Sequence, residues 1–141
     1  MNNEEMIRRE LLQSARKARE NAYAPYSGFR VGAAIRLAGS GEIIAGCNVE
    51  NVSYGATICA ERTAILRAIA RAGPDRVRGS VEDLVVVTDA DPPAVPCALC
   101  LQVLQEFCTP HLRIHLADLE RIHRTLTLGE LLPYPFSSFK G

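Results

Sequence analysis

Residues 83–88 read Asp-Leu-Val-Val-Val-Thr, a run of apolar residues bounded by polar ones. Such a run is typical of a β-strand covered on both faces, as in a sheet that lies between two layers of helices. A strand with one face in water would instead alternate polar and apolar residues. This stretch therefore predicts an α/β layer architecture.

The segment furthest upstream predicts an amphipathic helix. Apolar residues recur there at spacings of three and four, with charged residues between them. They are Ile7, Leu11, Leu12, Ala15, Ala18 and Ala22. Pro25, Ser27 and Gly28 then end the helical pattern. A β-hairpin is expected next over residues 29–49, because apolar residues alternate from Phe29 to Leu37 and a glycine-rich turn leads into a second β-prone run.

The remaining segments predict two more helices and another strand. A helix is expected from residue 57 or 58 until Gly73 and Pro74 stop it, and a second one over residues 97–107. Residues 112–117 form a further strand candidate. The order of helix, hairpin, helix, strand, helix and strand predicts a partly parallel sheet. At 141 residues, the chain is expected to form a single domain over residues 1–141.

Composition excludes several classes of function. The chain has 16 basic and 16 acidic residues, so no net field attracts nucleic acid or an anionic membrane surface. The first residues are charged where a signal peptide would be apolar, and no apolar run approaches the length of a membrane span. We therefore expect a cytoplasmic protein whose ligand is a small, weakly charged molecule.

Cysteine is the first residue type that points to chemistry. The odd number of cysteines, without a secretory signal, argues against a disulfide framework and leaves metal binding or simple burial. They are Cys47, Cys59, Cys97, Cys100 and Cys108. Two of them form a Pro-Cys-Ala-Leu-Cys motif at 96–100, where Pro96 suits the first turn of a helix whose N-terminus favours thiolates. Alone, this motif is as typical of a redox pair or of two buried thiols as it is of a zinc site.

A second motif, Cys-Ala-Glu at 59–61, also lies at an expected helix start. Residues two apart on a helix point in different directions, so Cys59 can bind a metal while Glu61 reaches a neighbouring substrate. Three protein ligands leave the fourth position of a tetrahedral zinc site for water. A closed site with Cys47 or Cys108 as the fourth ligand is the alternative, but it would leave Glu61 without a role.

Together the two motifs match the signature of zinc nucleobase deaminases. The whole chain resembles the small, homotetrameric class of cytidine deaminases. The matching segments are AYAPYSGFRVGAAI at 22–35, GCNVENVSYGATICAERTAI at 46–65, PCALCLQVL at 96–104 and ELLPYPF at 130–136. The resemblance implies a three-layer αβα sandwich with a mixed five-stranded sheet, and one catalytic zinc per subunit held by Cys59, Cys97 and Cys100. It also implies hydrolytic deamination of cytidine and deoxycytidine to uridine and deoxyuridine, with release of ammonia, in pyrimidine salvage.

The resemblance also implies a role for individual residues. Glu61 would be the catalytic residue that moves a proton from water to N3 of the pyrimidine and then to the departing amine. Arg62 would donate hydrogen bonds to the zinc thiolates. The implied substrate-binding residues are Asn48 and Glu50 at the ribose, Phe29 beside the ring, Tyr54 at the pocket or a subunit boundary, Ala60 through its backbone, and Phe136 in the site of a neighbouring subunit.

The chain departs from the family pattern beside two of the ligands. Where the family has Pro-Cys-Gly-Ala-Cys-Arg-Gln, this chain has Ala98, Leu99 and Leu101, so an arginine is replaced by an apolar side chain. Ser137 and Ser138 follow Phe136 in place of the usual glycine. These changes predict an altered subunit interface or an altered ligand.

Two other functions compete with cytidine deamination. A deaminase for another aminopyrimidine nucleoside, such as blasticidin S, would use the same zinc chemistry. A non-catalytic zinc-binding or CxxC redox module would use the cysteines without Glu61. Editing of nucleic acid is disfavoured by the neutral charge.

Overall fold

Five β-strands form one mixed sheet in the computed structural model, which describes residues 1–139. They are β1 (Gly32–Leu37), β2 (Ile43–Cys47), β3 (Val81–Val87), β4 (Arg113–Ala117) and β5 (Ile122–Thr127). Their order across the sheet is β2-β1-β3-β4-β5. β3 and β4 run parallel, whereas the other neighbouring pairs are antiparallel. The predicted mixed, partly parallel sheet is confirmed.

β3 lies at the centre of this sheet, and its composition follows from that position. Leu84 and Val86 pack into the apolar core on one face, whereas Val85 and Val87 pack into the core on the other. All four side chains are buried. The apolar run at 83–88 is therefore the sequence of a strand that contacts helices on both sides, as predicted.

Helices cover both faces of the sheet. They are α1 (Asn3–Arg19), α2 (Ala60–Ala72), α3 (Pro74–Val77), α4 (Ala98–Phe107) and α5 (Leu128–Leu131), and a 3-10 turn spans Tyr54–Ala56. α1 packs on one face, while residues of the other helices share the core on the opposite face. This arrangement confirms the three-layer sandwich. Within residues 1–139, none of the helices combines the length and the apolar character that a membrane span requires.

The first strand is shorter than its alternating pattern predicts. β1 begins at Gly32 rather than at residue 29. The reason is a side chain from another segment: the N–H of Val31 donates to Asn48 Oδ1 at 2.8 Å, and Asn48 Nδ2 donates to the carbonyl of Phe29 at 2.8 Å. Asn48 thus occupies backbone groups that strand pairing would otherwise use.

The structure corrects the sequence-based description at three other points. α2 begins at Ala60, with Cys59 as its N-cap, rather than at residue 57 or 58. Pro96 precedes Cys97, the N-cap of α4, and so lies outside the first turn of that helix. β5 was not predicted from its own residues, because as an edge strand it buries little of its surface and lacks a strict apolar alternation.

Close approach between the sheet and its helices depends on a glycine in β2. A Cβ atom added at Gly46 would lie 2.6 Å from the backbone nitrogen of Ala64 in α2. The missing side chain therefore lets α2 rest directly on β2. Because Cys59 and Glu61 lie at the start of α2, this contact also sets the position of the functional site.

Candidate active site

Three cysteines converge at the N-termini of α2 and α4. Cys59 is the N-cap of α2, Cys97 is the N-cap of α4, and Cys100 lies in the first turn of α4. Their Sγ atoms all lie within 4.8 Å of one another. Cys47 and Cys108 lie outside this cluster, so in the described part of the chain the closed four-cysteine site is not formed.

The spacing of the sulfur atoms fits a tetrahedral metal ion. Two tetrahedral ligands at the usual Zn–S distance of about 2.3 Å lie about 3.8 Å apart. Sγ of Cys59 is 3.8 Å from Sγ of Cys97, which is 3.6 Å from Sγ of Cys100. The partial positive charge at the two helix N-termini favours the thiolate form that binds metal. The donor set is thus suited to zinc and leaves the fourth ligand position open.

Hydrogen bonds within the cluster already favour ionisation of one thiol. A hydrogen bond from Cys100 and another from the Arg62 guanidinium lower the pKa of Cys59, despite its partial burial. The same contact with Cys59, together with burial, raises the pKa of Cys100. Nη2 of Arg62 lies 3.5 Å from Cys59 Sγ, so a fixed positive charge faces the thiolates.

Glu61 lies beside the thiols in an apolar environment. It is 5% exposed. Burial raises the pKa of its carboxyl to about 7, and the negative charge of Cys59 acts in the same direction. A carboxyl with a pKa near 7 can both accept and donate a proton at neutral pH, as a general acid and base must.

A cavity of about 230 Å³ opens beside the thiols and Glu61. Its volume lies below the range of about 300–1000 Å³ for drug-sized ligands, which fits a small molecule. The residues that line it are Ser27, Phe29, Val31, Asn48, Glu50, Thr57, Cys59, Glu61, Val86, Thr88, Ala94, Val95 and Cys97. Six of the residues named from the sequence, including two of the cysteines, therefore share one cavity.

Two polar residues that line the cavity are hydrogen-bonded to the loop before β1. Asn48 is 7% exposed and makes the two bonds with Phe29 and Val31 described above. Glu50 accepts hydrogen bonds from the backbone N–H of Tyr26 at 2.9 Å and of Ser27 at 3.1 Å. Both side chains face the cavity from the segment that follows β2.

Three predicted site residues lie elsewhere. Tyr54 is exposed and lines a neighbouring groove with Tyr26, to which its ring is edge-on at 5.9 Å. Ala60 is fully buried at the start of α2 and does not line the cavity. Phe136 is 62% exposed, lines a separate groove with Leu66, and accepts a hydrogen bond at its carbonyl from Gln102.

Several residues that line the cavity were not predicted from the sequence. They are Ser27, Val31, Thr57, Val86, Thr88, Ala94 and Val95. Thr88 could have been identified, because ligands in α/β sheets bind beyond the carboxyl ends of the strands and Thr88 follows β3. Ser27 was interpreted only as part of a turn that ends a helix.

The residues that depart from the family pattern have different surroundings. Leu101 is buried in the core, 7% exposed, so an apolar residue is suited to that position. Leu99 is 64% exposed and lies between Cys97 and Cys100 in the chain. The structure therefore explains Leu101 by core packing and presents Leu99 to the exterior.

The site defines the chain as a hydrolytic zinc enzyme: three cysteine ligands leave a position open for water, and a buried carboxyl stands beside it. The chain belongs to the family of cytidine and deoxycytidylate deaminases. The family model that describes their zinc-binding region matches residues 6–116 of this chain. That region contains Cys59, Cys97 and Cys100, and the cofactor is zinc.

Related proteins agree with this assignment. A cytidine deaminase from Sporosarcina psychrophila is 46% identical over 127 residues, which are 90% of this chain and 89% of that protein. A cytidine deaminase from Halalkalibacterium halodurans is 42% identical over 94% of this chain and 96% of its own length. The crystal structure of a cytidine deaminase from Burkholderia pseudomallei superposes with a TM-score of 0.84, at 40% identity, and covers 96% of this chain and all of that one.

Proposed function

We propose that the chain hydrolyses the exocyclic amino group of cytidine and deoxycytidine, so that water replaces ammonia and the products are uridine and deoxyuridine. The observation that carries the proposal is the position of Glu61: it is buried beside the three thiols and faces a cavity that also contains Asn48 and Glu50. Pyrimidine salvage is the setting that these substrates and products suit.

The protein's own groups perform the proton transfers. When bound, zinc supplies a water of lowered pKa, about 7 in such sites, as the nucleophile. Glu61 would accept one proton from the attacking water and deliver it to N3 of the pyrimidine. It would then take the second proton from the hydroxyl added at C4 and deliver it to the amino nitrogen, which leaves as ammonia while C4 becomes a carbonyl. A carboxyl with a pKa of about 7 can perform both steps, because neither its acid nor its base form is strongly preferred at neutral pH. Arg62 donates to Cys59 and withdraws part of the negative charge that three thiolates place on the site.

The charged groups that line the cavity favour a nucleoside over a nucleotide. Glu50 contributes a carboxylate, and among residues 1–139 those that line the cavity include neither lysine nor arginine. A sugar hydroxyl can donate to Glu50, whereas a 5′-phosphate would meet a like charge without a compensating cation. We therefore expect cytidine and deoxycytidine to be better substrates than deoxycytidylate.

The assembly and location form part of the same proposal. We propose a homotetramer in which Phe136 completes the site of a neighbouring subunit, since its ring is exposed and remote from the cavity of its own chain. Exposed apolar side chains such as Leu99 and Val95 would be covered by the partners. A cytoplasmic location is supported by the free cysteines of the site, because thiolate ligands persist in a reducing compartment. We also propose that residues 1–141 act as one domain.

The test is an ammonia-release assay on purified protein whose zinc content has been quantified. Cytidine, deoxycytidine, deoxycytidylate and blasticidin S are compared at equal concentrations, and sedimentation analysis measures the assembly. We expect one zinc per chain, rapid release from the two nucleosides and little from deoxycytidylate.

Two results would overturn the proposal. Activity on blasticidin S alone would assign the site to another aminopyrimidine nucleoside. Zinc-free protein that cycles a disulfide between Cys97 and Cys100, without release of ammonia, would assign the cysteines to redox chemistry.

A further inference from the structure

Glu50 is held by the turn that precedes β1. The hydroxyl of Ser27 donates to Oε2 of Glu50, and the N–H groups of Tyr26 and Ser27 donate to Oε1 at 2.9 and 3.1 Å. An ionised carboxylate offers about four acceptor positions. Three are occupied by this turn, so about one position is left for a donor from the cavity.

The direction of the Ser27 hydroxyl is determined by a second contact. Its oxygen accepts a hydrogen bond from the N–H of Phe29 at 3.0 Å. Because that bond occupies a lone pair, the hydroxyl hydrogen is directed to Glu50. The turn itself is closed by a hydrogen bond from Gly28 to the carbonyl of Ala24 at 2.9 Å, with Gly28 at a φ of 72° that suits glycine. The hydroxyl of Ser27 thus makes hydrogen bonds to both Glu50 and Phe29, which line the cavity.

The contacts also favour the charged form of Glu50. The hydrogen bond from the Ser27 hydroxyl is the main cause that lowers the pKa of this carboxyl, and the backbone N–H groups add to it. At neutral pH Glu50 is therefore an acceptor only, and it selects a donor such as a sugar hydroxyl.

We propose that Ser27 is a positioning residue for substrate recognition: its hydroxyl orients Glu50 toward the sugar hydroxyl of the nucleoside and ties that carboxylate to Phe29. The inference rests on the proposed function, because it assumes that the group bound by Glu50 belongs to a nucleoside. In the alanine variant, Glu50 can rotate and lose the orientation in which its free acceptor position faces the substrate.

The experiment compares Ser27→Ala with the unchanged protein on cytidine and on 2′,3′-dideoxycytidine, which lacks the hydroxyls that Glu50 can accept. We expect kcat/KM for cytidine to fall about tenfold, mainly through KM, since charge-assisted hydrogen bonds have effects of this size. The kcat/KM for dideoxycytidine should stay nearly constant. The ratio of kcat/KM for cytidine to that for dideoxycytidine should therefore become smaller. Ser27→Thr keeps the hydroxyl and should retain the discrimination.

Matched variants separate positioning from a general structural effect. Ser53 is exposed in the same region and its side chain makes no capping hydrogen bond, so Ser53→Ala should leave both nucleosides unaffected. In a Glu50→Ala background, Ser27→Ala should have no further effect on discrimination. Equal losses on both nucleosides, or an additive loss in the double variant, would overturn the inference. Failure of the unchanged protein to release ammonia from cytidine would instead overturn the proposed function, and the inference with it.

Discussion

Nη2 of Arg62 lies 3.5 Å from Sγ of Cys59 and 3.3 Å from the carbonyl oxygen of Thr57. In the part of the chain that the structure describes, the neighbouring Nε is buried without a hydrogen-bond partner. The guanidinium is thus held against the metal ligands rather than extended into solvent. In this position its positive charge would offset part of the negative charge of three thiolates when zinc is bound.

Removal of the guanidinium should weaken metal binding. We expect Arg62→Gln to reduce zinc affinity about 10- to 100-fold, the usual effect of losing a group that hydrogen-bonds a metal ligand. Competition with a zinc chelator measures this change. Arg71→Gln, an exposed change on the same helix, is the control. Equal zinc affinities in the two variants would show that Arg62 does not act on the metal site.

Substitution of the buried carboxyl should separate metal binding from catalysis. Glu61→Gln keeps the size of the side chain but cannot transfer protons, so kcat should fall by about 10²- to 10⁴-fold. Zinc content and melting temperature should stay close to those of the unchanged protein, because Glu61 is not part of the thiol cluster. Glu106→Gln, an exposed change on α4, should retain activity. Loss of zinc in Glu61→Gln would contradict this division of roles.

A second polar cluster, remote from the zinc site, should make stability depend on pH. Asp83 Oδ1 lies 2.8 Å from His115 Nε2, and both oxygens of Asp83 accept from Arg113 at 2.8 Å. Burial opposes ionisation of Asp83, but these hydrogen bonds outweigh it and hold the pKa of its carboxyl well below the ordinary value. A lowered native pKa means that the stabilisation is complete above the unfolded pKa of about 3.9 and is lost as the pH falls below it.

Asp83→Asn should therefore lower the free energy of unfolding by about 2–3 kcal/mol at pH 7, because His115 and Arg113 lose a charged partner. The difference from the unchanged protein should narrow as the pH falls from 5 toward 3. Urea unfolding at several pH values measures it. Asp75→Asn, an exposed change in α3, should show no such dependence on pH. If the loss in the free energy of unfolding of Asp83→Asn were the same at every pH, ionisation of Asp83 would not be coupled to stability.

The close contact between β2 and α2 predicts that one methyl group added at Gly46 lowers the stability of the protein. In Gly46→Ala the new Cβ would lie 2.6 Å from the Ala64 nitrogen, so α2 must shift. We expect a loss of about 1–3 kcal/mol in the free energy of unfolding and reduced zinc occupancy, because α2 carries Cys59. Gly39→Ala places its Cβ in open space and is the control in thermal unfolding. Equal melting temperatures for the two variants would refute the prediction.

Much of the fold followed from local patterns. The apolar run of β3 predicted a strand between two layers of helices, since a side chain buried on either face must be apolar. The periodicity of α1 likewise predicted its amphipathic face. β5 was missed because it is an edge strand with mostly exposed residues and so lacks a strict apolar alternation. The strand predicted from residue 29 was too long because Asn48 binds the backbone of Phe29 and Val31.

The site was predictable in its chemistry and less so in its shape. Residue types and short spacings predicted the three cysteines as zinc ligands and Glu61 as the residue that moves protons, because these roles need particular side chains. Ser27 carried no such signal, since its role depends on Glu50, which is distant in sequence. Leu101 could not be distinguished from a surface residue until the core was known.

The sequence by itself determined which atoms can bind zinc and which can move a proton, because those properties belong to single side chains. Only the tertiary structure decided that Cys59 and Cys97, 38 residues apart, bring their sulfur atoms to 3.8 Å at two helix N-termini. It also decided that Glu61 is buried enough for its pKa to rise to about 7. Distances and burial are properties of the packed sheet and helices, to which residues far apart in the chain contribute together.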